Sequence, residues 1–217
     1  MEKFTIADGK PEKGLLSIKT ICGPMFAGKS AKIIGIAETF KNNKINFICL
    51  KPKSDHRLIN GVSTKNKIVS RGTKLVIEAK ELDIDFSDEE TEELLKKHNA
   101  FIFDETQFFK LESIKNFILI ARKIKIKTQI VFAGLDMDFI GREFETIKYV
   151  KEISDEIVML RANCSVKGCG NKASYSSKIA GDKTKQIEIG GDEMYKPTCS
   201  EHHRQILDCV NIKLDKI

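Results

Sequence analysis

Gly23, Pro24, Met25, Phe26, Ala27, Gly28, Lys29 and Ser30 set two glycines, a lysine and a hydroxyl at the spacing of a phosphate-binding loop. The glycines let successive backbone N–H groups turn inward on an anion. Lys29 brings a point charge to the β- and γ-phosphates, and the Ser30 hydroxyl can ligate Mg²⁺. Further on, Phe101-Ile102-Phe103-Asp104-Glu105 carries an apolar strand into two carboxylates. Asp104 would hold Mg²⁺ directly or through water, while Glu105, pointing elsewhere, is free to act on a phosphate acceptor as a general base. A third group is soft: Cys164 with Cys169, then Cys199 with His202, is ligand spacing for tetrahedral zinc. Four protein ligands leave no open position, so such a zinc is structural. Its first pair has four intervening residues instead of the commoner two, and His203 is the alternative fourth ligand. Cys22 and Cys49 read as small buried hydrophobes. Cys209 is expected to pack, and His56 and His98 to lie on the surface.

These groups need elements to place them. A phosphate loop works between a strand and a helix, and the chain supplies both: an apolar, β-branched run from Leu15 to Cys22, and an amphipathic stretch from Ala31 to Glu38. Ile45 to Leu50 is a second buried-type strand, and Ala100 to Phe103 a third. Gln129 to Leu135 is a fourth, and Glu156 to Leu160 an edge or additional central one. Ser87-Asp88-Glu89-Glu90 is a capping box that opens a helix from Asp88 to His98, and Ser113 to Ile124 has helical periodicity. Strands alternating with helices imply an α/β fold with a parallel sheet. Lys51 to Gly72, polar and without helical period, is expected as a long mobile loop near the active site, with a short strand over Lys74 to Ala79. Residues 1–14 read as a flexible lead-in and 15–162 as the nucleotide-binding domain. Residues 163–217, rich in Cys, Gly, Ser and Lys, read as a small zinc-clamped domain.

The 217 residues carry 37 basic and 31 acidic side chains, a net charge of +6 spread along the chain. Phosphate ligands fit this balance and nucleic acid is not demanded by it. No window approaches eighteen apolar residues, and the first thirty lack a signal-peptide pattern, so no membrane association and a cytoplasmic setting are expected. The six cysteines are then reduced thiols or metal ligands.

Gly23 to Ser30, Asp104-Glu105-Thr106-Gln107-Phe108-Phe109, Gly134-Leu135-Asp136-Met137-Asp138-Phe139 and Ile189-Gly190-Gly191-Asp192-Glu193-Met194-Tyr195 together resemble the type II, cytosolic-type thymidine kinases. The matches run in family order from about Leu15 to His203. The resemblance implies a P-loop parallel-sheet core, RecA-like, with a small zinc-binding domain carrying a lasso-type substrate loop. It implies ATP-dependent phosphorylation of the 5′-hydroxyl of thymidine and deoxyuridine, feedback by dTTP, and a homotetramer with structural Zn²⁺. Glu105 matches the family's base, with Lys29 and Arg57 as catalytic partners. The ATP contacts run through the phosphate loop and Asp104 to Gln107, and Ser30, Asp55 and Asp104 serve the Mg²⁺. Met25, Phe108, Leu135, Phe139 and Tyr195 match positions that enclose the nucleoside. Ser176, Ile187, Glu188, Ile189, Gly190 and Gly191 match the loop that covers the base. Three positions depart from the family pattern: Ala27 and Ser176 replace a common serine and threonine, and Arg71 stands where relatives often carry histidine.

A zinc-ribbon ATPase whose tail grips DNA or RNA is the competing class. It would require DNA-stimulated hydrolysis and steeply salt-dependent binding. The mild scattered charge and the lack of an aromatic and basic stripe in the tail argue against it.

Overall fold

The computed structural model describes residues 15–124, 126–181 and 190–209. The chain runs β1 Leu16–Cys22, α1 Lys29–Asn42 and β2 Phe47–Pro52, then two small hairpins, β3 Leu58–Ile59 with β4 Val62–Ser63 and β5 Lys67–Val69 with β6 Val76–Glu78. It returns through β7 Lys80–Leu82, α2 Asp88–Lys97, β8 Ala100–Phe103, α3 Leu111–Ile124, β9 Thr128–Gly134, α4 Glu145–Glu152 and β10 Glu156–Met159. The C-terminal part holds β11 Ala162–Asn163, β12 Lys172–Ala173, β13 Tyr175–Lys178, β14 Tyr195–Thr198 and α5 Ser200–Cys209.

Six strands make one parallel sheet in the order β10-β1-β9-β8-β2-β7. Period-two alternation sorts its side chains onto two apolar faces. From β8, Phe101 and Phe103 join the core under α2, α3 and α4 with Leu94, Phe117 and Ile147, while Ala100 and Ile102 join Ile33, Ile34 and Phe40 of α1 on the other face. Phe117, fully buried, meets Phe86, Phe101 and Phe103 edge-on at centroid distances of 5.0 to 6.2 Å. The capping box is formed, Ser87 and Glu90 each accepting the other's backbone N–H.

Two expectations change. Lys51 to Gly72 is not one long loop: Lys51 and Pro52 belong to β2, and β3, β4 and β5 follow within the segment. Its polar backbone is satisfied by buried Lys51 and Thr64, whose side chains bond the carbonyls of residues 55, 57 and 64. Cys209, on the outer side of α5, is exposed rather than packed, whereas Cys22 and Cys49 are buried as expected. Burial pushes the Cys22 thiol up to about 11 and the Cys49 thiol to about 12, so both are inert hydrophobes.

Candidate active site

β1 leads into Gly23, which approaches the chain after β10 so closely that a Cβ would stand 2.3 Å from the Leu160 carbonyl oxygen. Gly28, at φ +87°, turns the loop into α1. No side chain caps α1 and no acid lies in its first turn, so its free N–H groups and positive dipole end are open to an anion. Lys29 Nζ folds back across the loop, donating to Gly23 O at 2.9 Å and Pro24 O at 2.8 Å. An ammonium has three donors, and among the described residues two are used, which leaves a third for a phosphate oxygen. Burial lowers the Lys29 ammonium, and the carboxylates of Glu105, Asp104 and Asp136 work against that shift.

One strand, β9, separates β1 from β8, and β8 delivers Asp104 and Glu105 to the same sheet edge. Glu105 sits at φ +50°, a left-handed conformation unusual for a side chain of its size. Such strain costs on the order of 1 kcal/mol and persists where the surroundings over-determine it. Here they do: Oε1 meets Arg57 Nη2, and Oε2 accepts from Gln107 Nε2 at 2.6 Å. Gln107 Oε1 in turn accepts the Leu135 N–H at 3.0 Å, beside Gly134, where a Cβ would come within 2.5 Å of that same oxygen. Burial raises the Glu105 carboxyl, but the charges of Arg57 and Lys29 and the bonds from Gln107 and Arg57 outweigh it and hold it low. Asp104 moves the other way: burial, then the charges of Glu105 and Asp55, raise it above the usual carboxylate range. The environment thus pushes adjacent carboxyls apart, one an ionised acceptor and one a group that charges fully when a cation arrives.

Arg57 is shared. Its Nε lies 2.6 Å from Asp55 Oδ1 as an ion pair. Burial opposes the Arg57 charge, yet Glu105 and Asp55 raise its pKa further.

These groups open on a cavity of about 390 Å³. Gly28, Lys29, Ser30, Arg57 and Glu105 line it together with Met25, Phe108, Leu135, Phe139, Ser176 and Tyr195. The Ser176 hydroxyl accepts the Met25 N–H at 2.8 Å, which ties β13 to the phosphate loop.

At the far end of β13 and β14, Cys164, Cys169, Cys199 and His202 converge with their ligand atoms all within 4.8 Å of one another. Cys164 Sγ is 3.5 Å and Cys199 Sγ 3.2 Å from His202 Nδ1, and Cys169 Sγ is 4.0 Å from Cys199 Sγ. Tetrahedral zinc requires ligand atoms about 3.5 to 3.8 Å apart, so the donor set and its size fit the ion. The His202 backbone N–H and ring pull the Cys199 thiol down to about 6, toward the thiolate a metal needs. His203 faces away: its ring stacks on Tyr175 at 4.2 Å and its Nδ1 is 2.9 Å from Ser177 Oγ.

A family model described as thymidine kinase matches residues 16–203. The chain belongs to the thymidine kinase family. The thymidine kinase of Mycoplasma genitalium is 30% identical over 188 residues, 85% of this chain and 82% of its own. That of Aster yellows witches'-broom phytoplasma is 29% identical over 197 residues, 88% of each chain.

Not every thymidine-kinase motif residue reaches the cavity. Gly23, Pro24, Ala27, Asp55, Asp104, Thr106, Gln107 and Gly191 do not line it, though Phe26 and Gly190 do. Thr106 is fully buried, its hydroxyl on the Phe103 carbonyl. Ile187, Glu188 and Ile189 lie outside the described residues. Sequence reasoning gave no role to Ile59, Val69, Ser70 and Thr73 and named Arg71 only as a departure from the family pattern, yet all five line the cavity from the hairpin region. Arg71 lays its guanidinium over the Phe26 ring at 5.2 Å and pairs with Asp192 at 2.8 Å. Alternating short polar strands leave no periodic signal to find, and only the length of the segment marked it.

Proposed function

We propose that the protein transfers the γ-phosphoryl group of ATP to the 5′-hydroxyl of thymidine and deoxyuridine, yielding the monophosphate and ADP. One observation carries this reading: Glu105 lines one cavity with Lys29 and Ser30 of the phosphate loop and with Phe108, Phe139 and Tyr195. A carboxylate between a phosphate loop and an aromatic slot is where an acceptor hydroxyl must lie for in-line attack.

The α1 N-terminus and Lys29 grip the β- and γ-phosphates. Mg²⁺ arriving with the nucleotide would be held by Ser30, Asp55 and Asp104, and would offset phosphate charge. Arg57 starts on Glu105 and can change partners: a γ-phosphate offers the guanidinium a doubly charged, bidentate acceptor. As Arg57 turns toward the phosphate, Glu105 loses the charge that holds its pKa low and becomes a better acceptor for the 5′-hydroxyl proton. A loose transition state asks little of the base beyond position. Met25, Phe108, Leu135, Phe139 and Tyr195 enclose the nucleoside, and Ser176 with residues 187–191 covers the base. Cys164, Cys169, Cys199 and His202 would hold a structural zinc that clamps the ends of this covering loop. Cytoplasmic deoxynucleotide salvage by a homotetramer under dTTP feedback belongs to the same reading.

Radiolabelled-phosphate transfer from ATP against a panel of deoxynucleosides tests it. Thymidine and deoxyuridine should be labelled, and Glu105→Gln should lose about a hundredfold in kcat with ATP binding kept. Full turnover in that variant, or labelling of purine deoxynucleosides alone, refutes the assignment.

A further inference from the structure

Lys51 is a lysine in an interior strand, 1% exposed, in a sheet whose core side chains are mostly apolar. Burying an ammonium is costly unless each donor is used and a counter-charge lies alongside. Both conditions are met. Nζ pairs with Asp55 Oδ2 at 3.0 Å and donates to the carbonyls of Asp55 at 2.7 Å, Thr64 at 2.6 Å and, more weakly, Lys67 at 3.4 Å. One side chain thereby pins three points of the segment that leaves β2 and returns along β5. Thr64 completes the anchor, its hydroxyl accepting the Arg57 N–H at 2.8 Å and lying 3.0 Å from the Asp55 carbonyl.

Beyond this anchor the charges alternate. Lys51 holds Asp55, Asp55 holds Arg57 Nε, and Arg57 reaches Glu105. A guanidinium on a flexible stem would otherwise sample many rotamers, and misplacement by about 1 Å can cost a hundredfold in rate. We propose that Lys51 is a positioning residue for phosphoryl transfer: through Asp55 and the backbone of residues 55–64 it fixes where the Arg57 guanidinium stands between Glu105 and the arriving phosphate. Lys51 itself touches no reacting atom. The inference rests on the reading of Arg57 and Glu105 given above.

The test is a cycle of Lys51→Gln, Arg57→Ala and the double variant, assayed for thymidine phosphorylation with folding followed by circular dichroism. Lys51→Gln should lower kcat about tenfold or more while the thymidine KM stays within about threefold. The double variant should be no more than about twofold slower than Arg57→Ala alone, since an anchor has nothing to position once the guanidinium is gone. A merely structural lysine would give losses that multiply. Multiplying losses, or a Lys51→Gln variant at the parent kcat, overturn the proposal and leave the kinase reading intact. An Arg57→Ala variant at the parent rate removes Arg57 from the mechanism and the proposal with it. Should Lys51→Gln not fold, Thr64→Val loosens the same backbone groups and must show the same non-additivity with Arg57→Ala.

Discussion

Gln107 shows how much of a catalytic carboxylate's behaviour is set by its neighbours. The family motif puts Gln107 among the ATP contacts, but its buried amide is used within the protein, with Nε2 on Glu105 and Oε1 on the Leu135 N–H. The bond to Glu105 helps, after the charges of Arg57 and Lys29, to hold that carboxyl low. Gln107→Leu removes it, so the Glu105 pKa rises. The base works only when ionised, and activity is lost as pH falls through its pKa. The acid limb of kcat/KM, which reports the free enzyme, should therefore move to higher pH in the variant, while the alkaline side stays put. A pH–rate profile with an unmoved acid limb would mean that Gln107 does not tune the base. Gly134 supports the same contact: in Gly134→Ala the new methyl would meet Gln107 Oε1 at 2.5 Å and Ile147 Cδ1 at 2.7 Å. Overpacking of this kind costs about 1–3 kcal/mol, read as a lower denaturant midpoint, with kcat falling because Gln107 is displaced.

At the scale of elements, apolar runs and local start signals were legible and long-range polar anchoring was not. β8 is apolar and buried throughout, and β1, β2 and β9 are apolar over most of their length, and α2 announces itself by its capping box. α4 gives no such signal: Phe144 caps it with no side-chain bond, and only Thr146, Ile147 and Val150 are buried. The hairpins between Lys51 and Leu82 have strands of two or three residues. They are held by a buried lysine whose partners lie up to 16 residues away, a pairing that no periodicity encodes. The site followed the same division, since the phosphate loop and the acidic strand end are contiguous motifs while Arg71 and Lys51 act across the fold. The apolar elements also set the stability. Phe117 of α3 joins three other aromatic rings at full burial, so Phe117→Ala should cost about 3–5 kcal/mol. Urea unfolding would show this as a lower midpoint with little change in slope, and the fraction still folded should keep its kcat.

For the whole molecule, the cavity has two walls of different origin, and the Cys/His cluster supports only one of them. The charged wall comes from β1, α1 and β8 of the large sheet, whose geometry is fixed by two apolar faces. The other wall draws on β13 and β14, a two-stranded ribbon too small to be stable alone. Ser176 and Tyr195 reach the cavity from that ribbon, and Cys199 follows directly after Thr198 at its end. A zinc at Cys164, Cys169, Cys199 and His202 would therefore fix the nucleoside wall and leave the phosphate wall untouched. Fresh protein should hold close to one zinc per chain, and removal by chelator should lower the thermal midpoint. Metal-depleted protein should show a thymidine KM raised about tenfold or more, with the ATP KM within about threefold of the parent. Ser176 links the ribbon to the phosphate loop, because its hydroxyl accepts the Met25 N–H. Ser176→Ala in metal-replete protein should raise the thymidine KM alone, to a smaller extent than metal removal. Equal rises in both KM values on chelation would show instead that the two walls form one cooperative unit held by the metal.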